Sequence, residues 1–398
     1  IPYLFYGISP LDALFESVSG ITTTGATILT NFDYPQAFFF WRSLTQWLGG
    51  LGIIVLFIAI LPQFAVAGRQ MFFAEAPGPT EDKITPRIRN TASALWGVYA
   101  GLTILQIILL MVGGMHGFDA VCNSLSTLAA GGFSPNPESL MGYHSNYLTW
   151  VTLIFMFLAG ASFNVQYRAI VQKNPMVLFK NEEFKLYFSL VMLMAVLITI
   201  SLIINTHSTV FQGFTDALYQ VISITTSTGS ASVDFINWDY TSKLLLFMVM
   251  FMGSCAGSAG GGIKMVRWLI VYRSMKSELL RILHPNAIVN IKVDNKTVPA
   301  EVSRQIVVYV FYYFLIFGVT SVIISIVEHN SAIGLSSSIT ALGNIGPGFA
   351  KLTGPMANFD CLHDSSKALM VFNMLVGRLE LIPFLVMLQK DFWTLKDN

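Results

Sequence analysis

Four short glycine-ended segments constrain this chain more than any other feature. Residues 224–230 read Ile-Thr-Thr-Ser-Thr-Gly-Ser, and residues 21–26 read Ile-Thr-Thr-Thr-Gly-Ala. In both, an Asp stands thirteen positions before the closing glycine: Asp216 before Gly229 and Asp12 before Gly25. A third unit keeps that spacing from Asp119 to Gly132, with Ala129-Ala130-Gly131 before the last glycine. A fourth reads Gly343-Asn344-Ile345-Gly346 and lacks the Asp. One such run would read as an ordinary turn between helices. Four at matched positions, each after a half-length helical segment, form an internal repeat.

The composition says where the repeats sit. The chain is 54% hydrophobic and only 11% charged, against about 25% charge in soluble domains, so it reads as an integral membrane protein. Runs long enough to cross a bilayer, about 20 residues, lie at 43–67, 91–115, 145–167, 186–215, 244–263 and 305–327. A seventh, 366–388, contains Arg378 and Glu380. Between them lie short segments at 10–21, 117–128, 213–224 and 331–342. These are too short to span and read as re-entrant half-helices. Asp12, Asp119 and Asp216 are expected to cap their N-termini, with Ser331 substituting in the fourth.

The order outer span, half-helix, glycine loop, inner span then recurs. It gives an all-α fold of four pseudo-symmetric repeats around a central pore. Repeat 1 covers 1–67, with its outer span expected ahead of Ile1; a connector covers 68–90, repeat 2 covers 91–170, and a second connector 171–185. Repeat 3 covers 186–282 with a glycine-rich loop at 253–262, a polar hairpin fills 283–301, and repeat 4 covers 302–398. Lys and Arg crowd the connectors, from Arg69 and Lys83 to Arg273, Lys292 and Arg304. The positive-inside rule makes these cytoplasmic and puts the loop mouths outside. The basic connectors suit topology and anionic lipid, or a docking face for a cytosolic regulator.

Irregular backbone inside a bilayer is tolerated only where it is buried or lines water. Rings of backbone carbonyls can replace a cation's hydration shell, and glycine supplies the unusual angles that turn carbonyls inward. Each half-helix would add the partial negative charge of its C-terminus, about half a unit. The candidate ion-binding residues are therefore Thr22, Thr23, Thr24 and Gly25; Ala129, Ala130, Gly131 and Gly132; Thr226, Ser227, Thr228 and Gly229; and Gly343, Asn344, Ile345 and Gly346. The run holding Gly253, Gly257, Gly260, Gly261 and Gly262 has too many glycines to stay helical. It reads as an unwound loop beneath the ring, with a small-residue helix-packing face as the alternative. Its end, Gly-Ile-Lys-Met, lacks the Gly-Lys-Ser/Thr of a phosphate loop. A charge at Arg378 within the bilayer needs a partner. That partner is either Glu380 or the loop carbonyls, where Arg378 would add a positive barrier to cations. The net charge of +1 points to no nucleic acid, the six His lack a His-Glu-x-x-His pattern, and the three Cys fit no metal motif. No enzyme is expected.

Thr-Thr-Gly-Ala-Thr at 23–27, Ala-Gly-Gly-Phe-Ser at 130–134, Thr-Ser-Thr-Gly at 226–229 and Gly-Asn-Ile-Gly-Pro-Gly at 343–348 resemble the filter loops of the TrkH/KtrB potassium transporter superfamily. Trp41-Arg42-Ser43, Gln46-Trp47, residues 49–53, Gly78-Pro79-Thr80, Thr85-Pro86-Arg87 and Gly377-Arg378-Leu379-Glu380 are similar to its TrkH branch. The resemblance covers essentially the whole chain. It implies a homodimer with one pore per subunit in a bacterial inner membrane, a cytosolic TrkA-like nucleotide-binding ring as partner, and no organic cofactor. It implies K+ sites at Thr23, Thr24, Ala130, Gly131, Ser227, Thr228, Asn344 and Ile345, and an intracellular gate made by the glycine-rich loop and Arg378. All four closing glycines are present, which in this family goes with potassium rather than sodium. The expected function is a K+-translocating, Rb+-permeable uptake subunit. The alternative is K+/Na+ or K+/H+ symport, which would need an ionisable group near the ion.

Overall fold

A computed structural model describes residues 2–51, 88–206, 209–284, 289–379 and 381. Four half-helices organise it: α1 (Pro10–Ile21), α4 (Gly117–Leu128), α9 (Val210–Thr225) and α13 (Ser331–Leu342). Outer helices α3 (Ile88–Val112), α8 (Glu182–Thr206) and α12 (Ala300–Val327) precede the last three of these. Following them are α2 (Gln36–Gly50), α5 (Asn146–Gly160) with α6 (Phe163–Val171), α10 (Tyr240–Val249) with α11 (Met265–Leu283), and α14 (Asp364–Arg378). A short α7 (Met176–Lys180), a hairpin, β1 (Lys292–Val293) and β2 (Lys296–Thr297), and three 3-10 turns (Pro2–Tyr6, Met141–Tyr143 and Phe235–Asn237) complete the described elements. The hairpin turn puts Asp294 and Asn295 at positive φ, as a two-residue turn of the primed type requires.

The caps differ from the sequence expectation. Ser9 caps α1, and Asp12 sits three residues on, where the two side chains bond to each other. His116 caps α4, with Asp119 in the first turn. Thr209 caps α9 by accepting from the Gln212 amide, so that helix starts three residues earlier than expected and Asp216 falls beyond its first turn. Asn330, not Ser331, caps α13 through the Ala332 and Ile333 amides. Asp12 and Asp119 therefore favour the positive helix ends through charge rather than as caps, and Asp216 does neither.

Among the described residues, only α3, α8 and α12 are continuous helices both long and apolar enough to cross a bilayer. The expected span 145–167 bends by 102° between α5 and α6. The span 244–263 stops at Val249, because Gly253 bonds across the unwound segment to Ile263 O at 2.7 Å instead of continuing the helix. Runs 43–67 and 366–388 lie partly outside the described residues, as do Gly52 and Glu380. The outer faces of the long helices carry exposed apolar side chains such as Ile108, Ile204, Phe311 and Ile326, as lipid contact demands.

The repeats close into a ring. Helix α2 packs on α4, α5 on α9, and α14 on α1, so an inner helix of one repeat braces the half-helix of the next. At the remaining seam Phe247 of α10 meets Phe349 (4.8 Å), and the unwound segment 250–264 reaches across to repeat 4.

Candidate ion pathway

All four half-helices end in the same way. Thr22, Ala129, Thr226 and Gly343 are right-handed C-caps. The next residues, Thr23, Ala130, Ser227 and Asn344, are left-handed, with φ of 55°, 56°, 56° and 52°. The third residue of each loop donates back five residues, closing a six-residue turn: Thr24 to Ser19 O, Gly131 to Ser126 O, Thr228 to Ser223 O and Ile345 to Thr340 O, at 2.8–2.9 Å. This is a Schellman closure built four times. The left-handed residue is never glycine, and its conformation costs roughly 1–2 kcal/mol in each loop. The closing glycines Gly25, Gly132, Gly229 and Gly346 again have positive φ. The sign of φ thus alternates through each loop.

The closing glycines bring the loops together. A methyl built on Gly25 would overlap Gly131 O, one on Gly132 would overlap Thr228 O, and one on Gly229 would overlap Ile345 O. On Gly346 it would come to 2.9 Å from Thr24 O. Loop one meets two, two meets three, three meets four, and four meets one. The sixteen residues expected at the site therefore form a single closed ring. Side chains tie it further: Asn344 Nδ2 donates to Thr24 Oγ1 (2.9 Å) and Met374 O (3.0 Å). Hydroxyl pairs Thr22–Thr24 and Thr226–Thr228 match at 2.7 Å.

Several residues that hold the ring were not singled out from sequence as site residues. Gln46 of α2 donates to Gly131 O (2.7 Å) and accepts from the Phe133 amide (3.1 Å). Arg42 is 2% exposed and pairs with fully buried Glu16 at 2.7 Å. Its guanidinium lies 3.9 Å from the Phe133 ring centre. Glu16 also accepts from Thr27 and the Ile28 amide, so the pair pins the strand leaving loop one. The visible signal was Glu16, the one charge in the core of an otherwise apolar half-helix. Lys367 of α14 bridges to Asp12 of α1 at 2.8 Å and ties the fourth repeat to the first.

The segment 250–264 lies directly under the ring. The Gly261 amide donates to Ser227 Oγ at 2.6 Å, and Gly260 sits so close to Thr226 O that no side chain would fit. Lys264 donates to Gly260 O at 2.6 Å. Gly257 and Gly262 have positive φ, and Gly257 O accepts from the Phe163 amide. Cys255 and Ala259 donate to Gly160 O and Ala159 O, the last carbonyls of α5. Arg378, at the end of α14, donates to Ala259 O (3.0 Å), Gly49 O (2.5 Å) and Gly50 O (2.9 Å). It therefore joins the glycine-rich segment of repeat 3 to the inner helix of repeat 1.

Four re-entrant helices whose loops close on one axis, inside an all-α membrane protein of four pseudo-symmetric repeats, define a pore-loop transport protein of the potassium-channel-like kind. The TrkH family profile, described as a cation transport protein, matches residues 4–393, and the chain belongs to that family. It is 36% identical over 392 residues to the Trk system potassium uptake protein TrkH of Vibrio parahaemolyticus, covering 97% of this chain and 80% of that one. It is 34% identical over 399 residues to the protein of the same name from Escherichia coli K12, covering 99% and 82%. The crystal structure of the potassium transporter TrkH from Vibrio parahaemolyticus superimposes with a TM-score of 0.84 at 33% identity, over 97% of this chain and 80% of that one. These relatives are transporters, and the chain is not an enzyme.

Proposed function

We propose that this chain is the potassium-translocating subunit of a bacterial Trk-type uptake system, passing K+ and Rb+ through the ring of loop carbonyls. The observation that carries the reading is the cyclic contact of four identically closed loops, from Gly25–Gly131 round to Gly346–Thr24. Carbonyls held in place by their own helix ends can take over an ion's hydration shell without first rearranging. The half-helix C-termini add negative potential at the same point. No residue among the sixteen is ionisable, which favours conduction over symport with Na+ or H+.

The segment 250–264 and Arg378 serve as the gate. The segment closes the space below the ring, and the guanidinium places a positive charge on the cation's path. The three carbonyls around Arg378 offset its cost within the bilayer, about 3 kcal/mol or more. Opening then means separating Arg378 from Ala259 and moving the segment aside. The protein sits in the inner membrane as a homodimer, its ring mouth periplasmic. Its basic connectors face the cytoplasm, where a TrkA-like nucleotide-binding ring docks.

The test is 86Rb+ uptake into proteoliposomes holding the purified protein, competed by unlabelled K+ and Na+. Strong competition by K+ and weak competition by Na+ is the expected result. Equal competition, or uptake that requires a Na+ or H+ gradient at fixed voltage, would remove the proposal.

A further inference from the structure

The segment 250–264 is held from beneath by one buried carboxylate. Glu183, the second residue of α8, is 7% exposed. Its Oε1 accepts from the Ala256 amide at 2.7 Å and from the Val266 amide at 3.0 Å. Ala256 precedes the main glycine run, and Val266 lies in the first turn of α11. One oxygen therefore pins both shoulders of the loop.

The same end of α8 is clasped by the hairpin. Asp294, at the hairpin turn, accepts from Asn181 Nδ2 (2.6 Å) and the Glu182 amide (2.8 Å). Its own amide donates to Glu182 Oε2 at 3.2 Å. Arg273 of α11 pairs with Glu182 at 2.8 Å and donates to the Lys292 carbonyl. An apolar contact runs in parallel. Val293, Val298 and Ile306 cluster with Val266 and Ile270, and Ala256 packs against that cluster. Hairpin, α8 terminus and both loop shoulders thus form one continuous body, reaching from the connector that carries the basic residues to the underside of the ring.

We infer that Glu183 is a positioning residue for the gate and that the hairpin at 292–297 is its handle. The hairpin holds α8 through Asp294, Glu183 holds the loop, and a cytosolic protein that shifts the hairpin releases the loop. The inference rests on the reading of 250–264 as the gate. It adds the point where a soluble partner exerts force and the bond that transmits it.

The loop carries its own reporter. Cys255, 1% exposed, adjoins Ala256. Replacing Cys122 by Ala and Cys361 by Ser leaves Cys255 as the reactive thiol. In that background, 86Rb+ uptake by proteoliposomes and the rate of Cys255 modification by a membrane-permeant maleimide are measured without any soluble partner. Glu183→Ala is expected to raise both about tenfold, since it removes two bonds to a charged acceptor. Glu183→Gln keeps an oxygen at Oε1 and is expected to rescue both to within about twofold. Asp294→Ala, outside the bilayer, is expected to raise both about threefold.

Arg378→Ala in the same background separates this inference from the gate itself. If Arg378→Ala raises uptake while Glu183→Ala and Asp294→Ala leave uptake and thiol reactivity at the starting level, the latch is wrong and the gate stands. If none of the three raises uptake, both fall. Glu183→Gln as leaky as Glu183→Ala overturns the hydrogen-bond account. Should Glu183→Ala fail to give a monodisperse protein, the Asp294→Ala result decides alone.

Discussion

Two stretches of irregular backbone meet at the centre of this protein, and they are held by different means. The ring loops are fixed locally. Each is closed by hydrogen bonds to its own half-helix and by a glycine pressed on the next loop's carbonyl. The segment 250–264 has no repeated pattern. Besides its own Gly253–Ile263 and Lys264–Gly260 bonds, it is held by distant partners: Glu183, the end of α5, Ser227 and Arg378. Local closure makes a rigid element, because its bonds break only when the helix end does. Closure by remote groups makes a conditional one, because moving any partner loosens it. The proposed roles match: a filter needs the first kind and a gate needs the second.

The same glycine-to-alanine change should separate the two. In the ring, Gly132→Ala forces a methyl onto Thr228 O in a left-handed residue. Strain of about 1–2 kcal/mol adds to overpacking of about 1–3 kcal/mol, so 86Rb+ uptake should fall on the order of 100-fold. Near-normal uptake would show that the seam is not rigid. Next in size, Arg378→Ala removes three bonds from a charged donor. Each such bond contributes about 1.5–3 kcal/mol, so flux without a partner should rise about tenfold or more. Arg378→Lys keeps the charge but not the fork and should fall between. In the loop, a methyl at Gly257 meets only Ser162 Oγ at 3.4 Å and Asn164 Nδ2 at 3.5 Å, both ordinary contacts. Gly257→Ala therefore costs only the φ penalty, about 1 kcal/mol. It should raise basal flux about fivefold while leaving the K+ over Na+ preference intact; a fall in flux would erase the contrast. The smallest change is Thr228→Val, which removes the Thr226 hydroxyl contact but no backbone bond. It should weaken Rb+ competition about two- to fivefold.

The half-helices were legible in the sequence because length and charge alone decide them. Segments 10–21, 117–128 and 331–342 coincide with α1, α4 and α13. Helix α9 was read late because Thr209-x-x-Gln212, a Thr/Gln pair at capping-box spacing, went unused. Three of the left-handed residues were not legible: local rules assign that conformation to glycine or asparagine, which suits Asn344, whereas Thr23, Ala130 and Ser227 adopt it because the six-residue closure demands it. The holding roles of Glu183, Gln46 and the Glu16–Arg42 pair were not legible either. Their partners lie 26 to more than 80 residues away, and nothing in a single sequence joins them.

The third seam has a further consequence. Three inner helices brace the next half-helix directly, while at the third the unwound segment reaches across to Gly343 and Asn344. Four separate copies of one subunit could not build this. Identical chains would all send such a strap toward the same axis, and the straps would collide. With that segment as the proposed gate, joining the units covalently lets one wall swing while three stand still, a moving part that strict rotational equivalence forbids.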